Sequence, residues 1–194
     1  SEITIEIQIR CDGTTDKWDV FARGFFLFDT SALGSDIITA ASFDYVATGT
    51  QDNHAQSVAI IATTPASDTD LVVGDYDQVN ATRQATDVDV TNITADSSTF
   101  TENTLNGTGE ASIDKAGITK FGIRMSGDAD NSEPTWIDGV NAQISIASAE
   151  ENLSGDKRPR LVVTHSFDAD LVTAVLDSIN RAQPVIQAPG VLSY

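Results

Sequence analysis

The sequence predicts an all-β fold, an antiparallel β-sandwich or jelly roll followed by a C-terminal helix and an extended tail. Short apolar runs recur along the chain, and turn residues separate them without intervening long helices. The clearest run is Glu2–Arg10, EITIEIQIR, whose isoleucines alternate with polar residues as in a strand with one buried face. After Phe167 the apolar spacing changes to that of a helix.

The later strands are predicted from similar runs, and the chain is long enough for one sandwich with a full core. The run Val20–Asp29 is apolar at nearly every position, so we expect it to be central in its sheet. We predict one helical turn over Gly109–Gly117, closed by Gly117. The other predicted strands are Ile37–Thr48, Gln56–Thr63, Ala85–Thr94, Thr99–Leu105, Phe121–Met125, Asn141–Ala147 and Arg160–Thr164.

The C-terminal part is predicted to be an arm and not part of the sandwich. Asp168–Gln183 has helical periodicity, and Pro184 would end that helix before the apolar tail PVIQAPGVLSY. We therefore divide the chain into a sandwich domain, 1–167, and an assembly arm, 168–194, that packs on neighbouring subunits. The residues predicted to make these assembly contacts are Leu171, Val172, Val175, Leu176, Ile179, Val185, Ile186, Val191, Leu192 and Tyr194.

Composition excludes some partners. The chain has 11 Lys and Arg residues against 29 Asp and Glu residues, a net charge of −18. A nucleic-acid phosphate backbone or an anionic lipid surface requires basic protein surface, so we expect neither as a partner. No apolar run approaches the ~20 residues that a membrane span needs, so we expect no membrane insertion. Cys11 is the only cysteine, which excludes an intrachain disulfide.

The motifs give no catalytic set but two candidate binding sites. HExxH, GxSxG and P-loop patterns are absent, so we expect a protein that is not an enzyme, and Ca²⁺ is the only cofactor that we consider. Asp128, Asp130 and Asn131 offer the hard oxygens that Ca²⁺ prefers, although an Asx-rich surface turn is the alternative. Trp18 and Trp136 lie in turn-like segments, where they either stack on a sugar ring or cap the core.

Charged residues inside apolar runs predict buried ion pairs. Arg23 lies in the middle of such a run and needs a carboxylate partner, for which Asp29, Glu150 and Asp128 are the candidates. We expect Arg23, Asp29, Arg124 and Glu150 to form internal ion pairs that fix the sandwich.

Several short motifs resemble one known family. In order they are RGFFLFDTSAL (23–33), VVGDY (72–76), TLNGTG (104–109), KAGITKFGIRMSGD (115–128), ISIASAE (144–150) and KRPRLVVTH (157–165). From Ile7 to His165 the chain thus resembles DNRLRE-type domains, sandwiches similar to carbohydrate-binding modules that occur in secreted multidomain proteins and in phage structural proteins. The resemblance implies a jelly roll in which Arg23, Asp29, Arg124 and Glu150 occupy recurrent charged positions.

Together these observations favour a structural protein on the surface of a multi-subunit assembly. We expect a virion component such as a capsid decoration or tail protein, contacting other copies of itself and a capsid or filament protein. The alternative is a carbohydrate-binding or adhesion module that binds glycans. Either function predicts a virion-surface or extracellular location.

Overall fold

The computed structural model describes residues 4–150 and 155–167, and it confirms the predicted all-β sandwich. The predicted helix and arm over 168–194, with all of the predicted assembly residues, lie outside the described residues. In the described part, no helix is both long and apolar enough to span a membrane.

The described strands form two antiparallel sheets. The strands are β1 (Thr4–Cys11), β2 (Trp18–Ala22), β3 (Gly24–Asp29), β4 (Ile37–Asp52), β5 (Ser57–Thr63), β6 (Val79–Arg83), β7 (Val88–Asp89), β8 (Phe100–Thr104), β9 (Ile118–Met125), β10 (Asn141–Ala147) and β11 (Arg160–Ser166). Two short helices are α1 (Gly107–Ala111) and α2 (Ser126–Ala129). The first sheet has the order β11-β4-β10-β1-β2 with β8 also paired to β4; the second has the order β3-β9-β5-β6 with β7 paired to β5.

Strand β1 follows the period-two pattern of its isoleucines. Ile7 and Ile9 are fully buried in the core between the sheets. The polar face of β1 is also partly covered, because Gln8 Nε2 donates to Gln143 Oε1 of the neighbouring strand β10 at 2.7 Å. A side-chain pair across two strands thus lets a polar residue be buried in the sheet.

An aromatic cluster occupies the centre of the core. Phe43 is fully buried, and its ring centroid lies 5.2 Å from that of Phe26, 5.5 Å from Phe28 and 6.4 Å from Phe121. These rings come from both sheets, so they join β4 of the first sheet to β3 and β9 of the second.

The prediction that Val20–Asp29 forms one central strand is wrong. The chain changes sheets at Arg23, so that this run contributes to β2 and β3, each the last strand of its sheet. Gly24 permits the close crossing, because a Cβ there would lie 2.8 Å from Ile7 Cδ1. The β3 part of the run is apolar because both faces of the strand are covered. One face packs in the core between the sheets, and the other packs against a second apolar cluster.

Two local predictions also need correction. The helical turn predicted over Gly109–Gly117 begins earlier, since Asn106 Oδ1 accepts hydrogen bonds from the backbone N–H groups of Thr108 and Gly109, and it ends at Ala111 instead of at Gly117. The strand predicted over Ala85–Thr94 is reduced to β7. It ends there because the Asp89 carboxylate accepts from the N–H of Thr91 and turns the chain into a 3₁₀ helix.

The aromatic core can be tested with two equivalent truncations. We expect Phe43→Ala to lower the free energy of unfolding by about 3–5 kcal/mol, because it leaves a cavity between the sheets. Phe167→Ala is the control, since Phe167 is 81% exposed, and it should change that free energy by less than about 0.5 kcal/mol. Urea denaturation measures both values, and equal effects would contradict the described core.

Candidate functional site

The junction of β2 and β3 is held by one carboxylate shared between two arginines. Asp128, in α2, accepts hydrogen bonds on Oδ1 and Oδ2 from Arg23, both at 2.8 Å. Asp128 Oδ2 also accepts from Arg124 Nε of β9 at 2.7 Å. All three side chains are at most 12% exposed. Asp128 is therefore the partner that Arg23 requires.

The two guanidinium groups also bind backbone carbonyls of a third segment. Arg23 Nη1 donates to Tyr76 O at 2.8 Å, and its guanidinium carbon lies 4.1 Å from the centroid of the Tyr76 ring. Arg124 Nη1 donates to Val79 O and Asn80 O, each at 3.1 Å. We call Arg23, Tyr76, Arg124 and Asp128 the sheet-switch cluster. It joins the crossing point to β9 and to the start of β6.

The charge of Asp128 depends on the two arginines. Burial alone would raise the pKa of its carboxyl, but the hydrogen bonds from Arg23 and Arg124 outweigh burial and hold the pKa below its ordinary value. Asp128 thus stays ionised, and the cluster is a structural ion network without a free acid or base.

The ion pairs predicted for Asp29 and Glu150 are not formed with Arg23 or Arg124 in the described part of the chain. Asp29 is exposed, and its carboxylate accepts from Ser31 N at 3.0 Å and Ser31 Oγ at 2.6 Å. Glu150 is exposed just beyond the end of β10. Both arginines instead take Asp128, which lies closer to them because α2 follows β9 directly.

The geometry also argues against the predicted calcium site. Both Asp128 oxygens are occupied by guanidinium donors, and Asp130 Oδ1 lies 2.9 Å from Arg83 Nη2. Asn131 has a positive φ of 50°, as in a tight Asx-rich turn. Among the residues described, no group of three or more His, Cys, Asp or Glu side chains is placed to hold a metal ion. We do not retain the calcium site.

The two tryptophans lie at one end of the sandwich, each with its indole N–H engaged. Trp18 is half-buried, donates to Glu133 Oε1 and packs against His54 with ring centroids 5.4 Å apart. Trp136 is also half-buried and donates to Lys17 O at 3.1 Å. Both indoles tie loops together, which is how tryptophans cap a core, while part of each side chain still reaches the surface.

A groove of about 660 Å³ opens elsewhere, along β3. Four consecutive β3 residues line it, Phe25–Phe28, so the groove reaches both faces of the strand. We call it the β3 groove; its other lining residues are Ile5, Ser67, Asp68, Thr69, Asp70, Leu71, Phe100, Ala149, Gly155, Asp156, Arg158, Pro159 and Arg160.

One wall of the β3 groove is a loop held in place by a buried carboxylate. Asp75 accepts hydrogen bonds from the N–H groups of Val72 and Ala66, each at 2.9 Å, and these bonds hold its pKa below the ordinary value. Lys120 of β9 pairs with Asp68 at 2.6 Å. These contacts hold the loop in place. The loop exposes three consecutive apolar residues, Leu71, Val72 and Val73, which are 59%, 60% and 96% exposed.

The opposite wall is the segment that leads into β11. Arg160 lies 3.8 Å from the centroid of the Phe100 ring, and its Nε donates to Asp44 Oδ2 at 3.0 Å. Lys157 Nζ donates to Ser98 O at 2.8 Å. The floor of the groove between the two walls is apolar, and Asp156 and Arg158 are paired at its rim.

Sequence reasoning did not find the β3 groove, because its walls come from segments far apart in the chain. The run Leu71–Val73 was the available signal, since it is an apolar run within a polar, acidic loop. Exposed apolar residues that are contiguous with a groove are typical of a binding surface.

No family model, curated protein or solved structure matches this chain. The resemblance to DNRLRE-type domains therefore remains a prediction from the quoted motifs.

The sheet-switch cluster predicts a large effect for a nearly isosteric substitution. Asp128→Asn should lower the free energy of unfolding by about 3–5 kcal/mol, because it leaves two buried guanidinium groups without their counter-charge. Asp130→Asn is the matched control, since Asp130 is 57% exposed, and it should cost less than about 1 kcal/mol. Urea denaturation at neutral pH measures both, and similar values would contradict the structural role of Asp128.

The same carboxylate predicts an acid dependence. Because the pKa of Asp128 is lower in the folded protein than the ordinary value of 3.8, its stabilising contribution is complete above that value and is lost as the pH falls through the folded-state pKa. The stability of Asp128→Asn should therefore fall less steeply than that of the wild type between about pH 5 and pH 2. Parallel curves over this range would contradict the depressed pKa.

Proposed function

We propose that this protein is a non-enzymatic structural subunit on the surface of a multi-subunit assembly, such as a virion capsid decoration or tail component. The observation that carries the proposal is an apolar surface contiguous with the β3 groove: Phe25 and Leu27 on the edge strand, beside the exposed run Leu71–Val73. Such a surface on an otherwise acidic, charged protein is suited to contact with another protein.

Two further features support this proposal. The buried charges of the sheet-switch cluster are paired within the fold, since Asp128 binds both arginines, which is a structural arrangement and not a reactive one. The predicted arm over 168–194 is rich in apolar residues that would need a protein surface to pack against. By this proposal, the protein contacts copies of itself and a capsid or filament protein, at a virion surface or outside the cell.

A carbohydrate-binding function is the second candidate, and the same groove favours it. Its volume of about 660 Å³ lies in the range of small-ligand sites. Aromatic rings such as Phe28 and Phe100 occur there with polar rim residues such as Asp70 and Arg158, a mixture that can stack on a sugar and bind its hydroxyl groups. The partly exposed Trp18 and Trp136 lie outside this groove.

The structural proposal can be tested through the exposed apolar run. Native mass measurement of the full chain should show multimers, and Val72→Asp/Val73→Asp should reduce them at least tenfold, because two charges would be desolvated in the contact. Ala32→Asp/Ser35→Asp is the control, since it adds the same charge to another exposed loop. A full chain that is monomeric at all concentrations and absent from particle fractions would overturn the proposal.

A glycan array distinguishes the second candidate. The structural proposal expects no sugar binding by the full chain. Binding that is lost in Arg158→Ala would place a sugar in the β3 groove, whereas loss in Trp136→Ala would place it at the tryptophan end.

A further inference from the structure

Among the described residues, the β3 groove contains a strand edge that has no partner strand. Thr30 N–H donates to Gly117 O at 3.0 Å, and Asp29 pairs with Ile118, so Thr30 and Gly117 continue the β3–β9 ladder as a hydrogen-bonded pair. Hydrogen-bonded and non-hydrogen-bonded positions alternate along an antiparallel pair. Phe25 and Leu27 are therefore non-hydrogen-bonded positions, with their N–H and C=O groups directed away from β9.

In the described part of the chain, no other strand pairs with this side of β3. Two donors and two acceptors, one of each from Phe25 and Leu27, are thus available inside a groove with an apolar floor. An extended peptide fits this arrangement, because its backbone can continue the sheet while its side chains enter the groove on both faces of β3. The edge favours an extended peptide over a helix, which has no backbone groups to offer.

We infer that the β3 groove takes the segment Pro184–Tyr194 of a second copy as an added strand. This inference rests on the proposed self-association and specifies its contact. The segment carries no charged side chain, although the whole chain has a net charge of −18, so it can approach another copy without charge repulsion. Its prolines oppose a helix, and an edge strand tolerates them where the missing N–H would face solvent.

We take a second copy as the occupant because the inference specifies the contact of the proposed self-association. Arg160, at the start of β11, lines the groove, and the strand then runs six residues further to Ser166. At a rise of about 3.3 Å per residue, the chain leaves β11 about 20 Å from Arg160, and residues 167–183 are long enough to reach the groove of the same chain or of a neighbour. Docking on a neighbour gives a closed dimer where two copies exchange segments, and rings or filaments where the contacts run head to tail.

Hydrogen exchange on the full-length protein tests the contact directly. The amides of Phe25 and Leu27 should be protected in the multimer, and Val191→Asp/Leu192→Asp should reduce that protection at least tenfold. Ser193→Asp is the control, because it adds charge at a polar position of the same segment, and it should have a clearly smaller effect. Unchanged protection in the double variant would overturn the inference.

Disulfide trapping identifies which copy donates the segment. Chains with Leu27→Cys are mixed with chains carrying Cys at one position of the segment, scanned over Ile186, Val191, Leu192 and Tyr194. A covalent dimer at one scanned position supports the inference. If the chain with both cysteines instead closes on itself at high dilution, its own segment fills the groove and the second-copy contact is overturned.

These results separate the inference from the broader proposal. Multimers that persist with unprotected Phe25 and Leu27 amides would refute the groove contact but keep the structural function. Protected amides and covalent dimers in a protein that never enters particle fractions would support the groove contact and refute the particle function.

Discussion

The carboxylate of Asp128 holds the point at which the chain changes sheets. A chain can cross from one sheet to the other within one residue only if the polar groups at the crossing are paired, since unpaired buried groups are costly. Arg23 stands at the crossing and Arg124 on the neighbouring strand β9, and both bind Asp128. The Nη1 groups of both arginines donate to carbonyls in or just before β6, so one ion network fixes the geometry of three segments.

The position of β3 follows from this crossing. Because the chain changes sheets at Arg23, β3 begins as the last strand of the second sheet, and one side of it has no partner strand among the described residues. The loop containing Asp75 and the segment before β11 form the two walls of the groove along that edge. The β3 groove is therefore a consequence of the crossing, and the ion network that stabilises the fold also positions the candidate contact surface.

Local patterns predicted most of the strands because they report which faces are buried. The strands β1 and β10 lie where their alternating apolar residues predicted them, since a period of two indicates a strand with one buried face. The run Val20–Asp29 misled for a related reason: continuous apolarity shows that both faces are covered, but it does not show whether neighbouring strands or a loop covers them.

The sequence by itself determined the fold class, the need of Arg23 for a carboxylate and the acidic net charge of −18, because each depends on residue types and local spacing. Only the tertiary structure decided which carboxylate Arg23 takes, since Asp128 lies 105 residues away in the chain. It also decided that Asp128 is an ion-pair partner and not a calcium ligand. The β3 groove was likewise decided only by the tertiary structure, because segments from Ile5 to Arg160 meet only when the sheets pack.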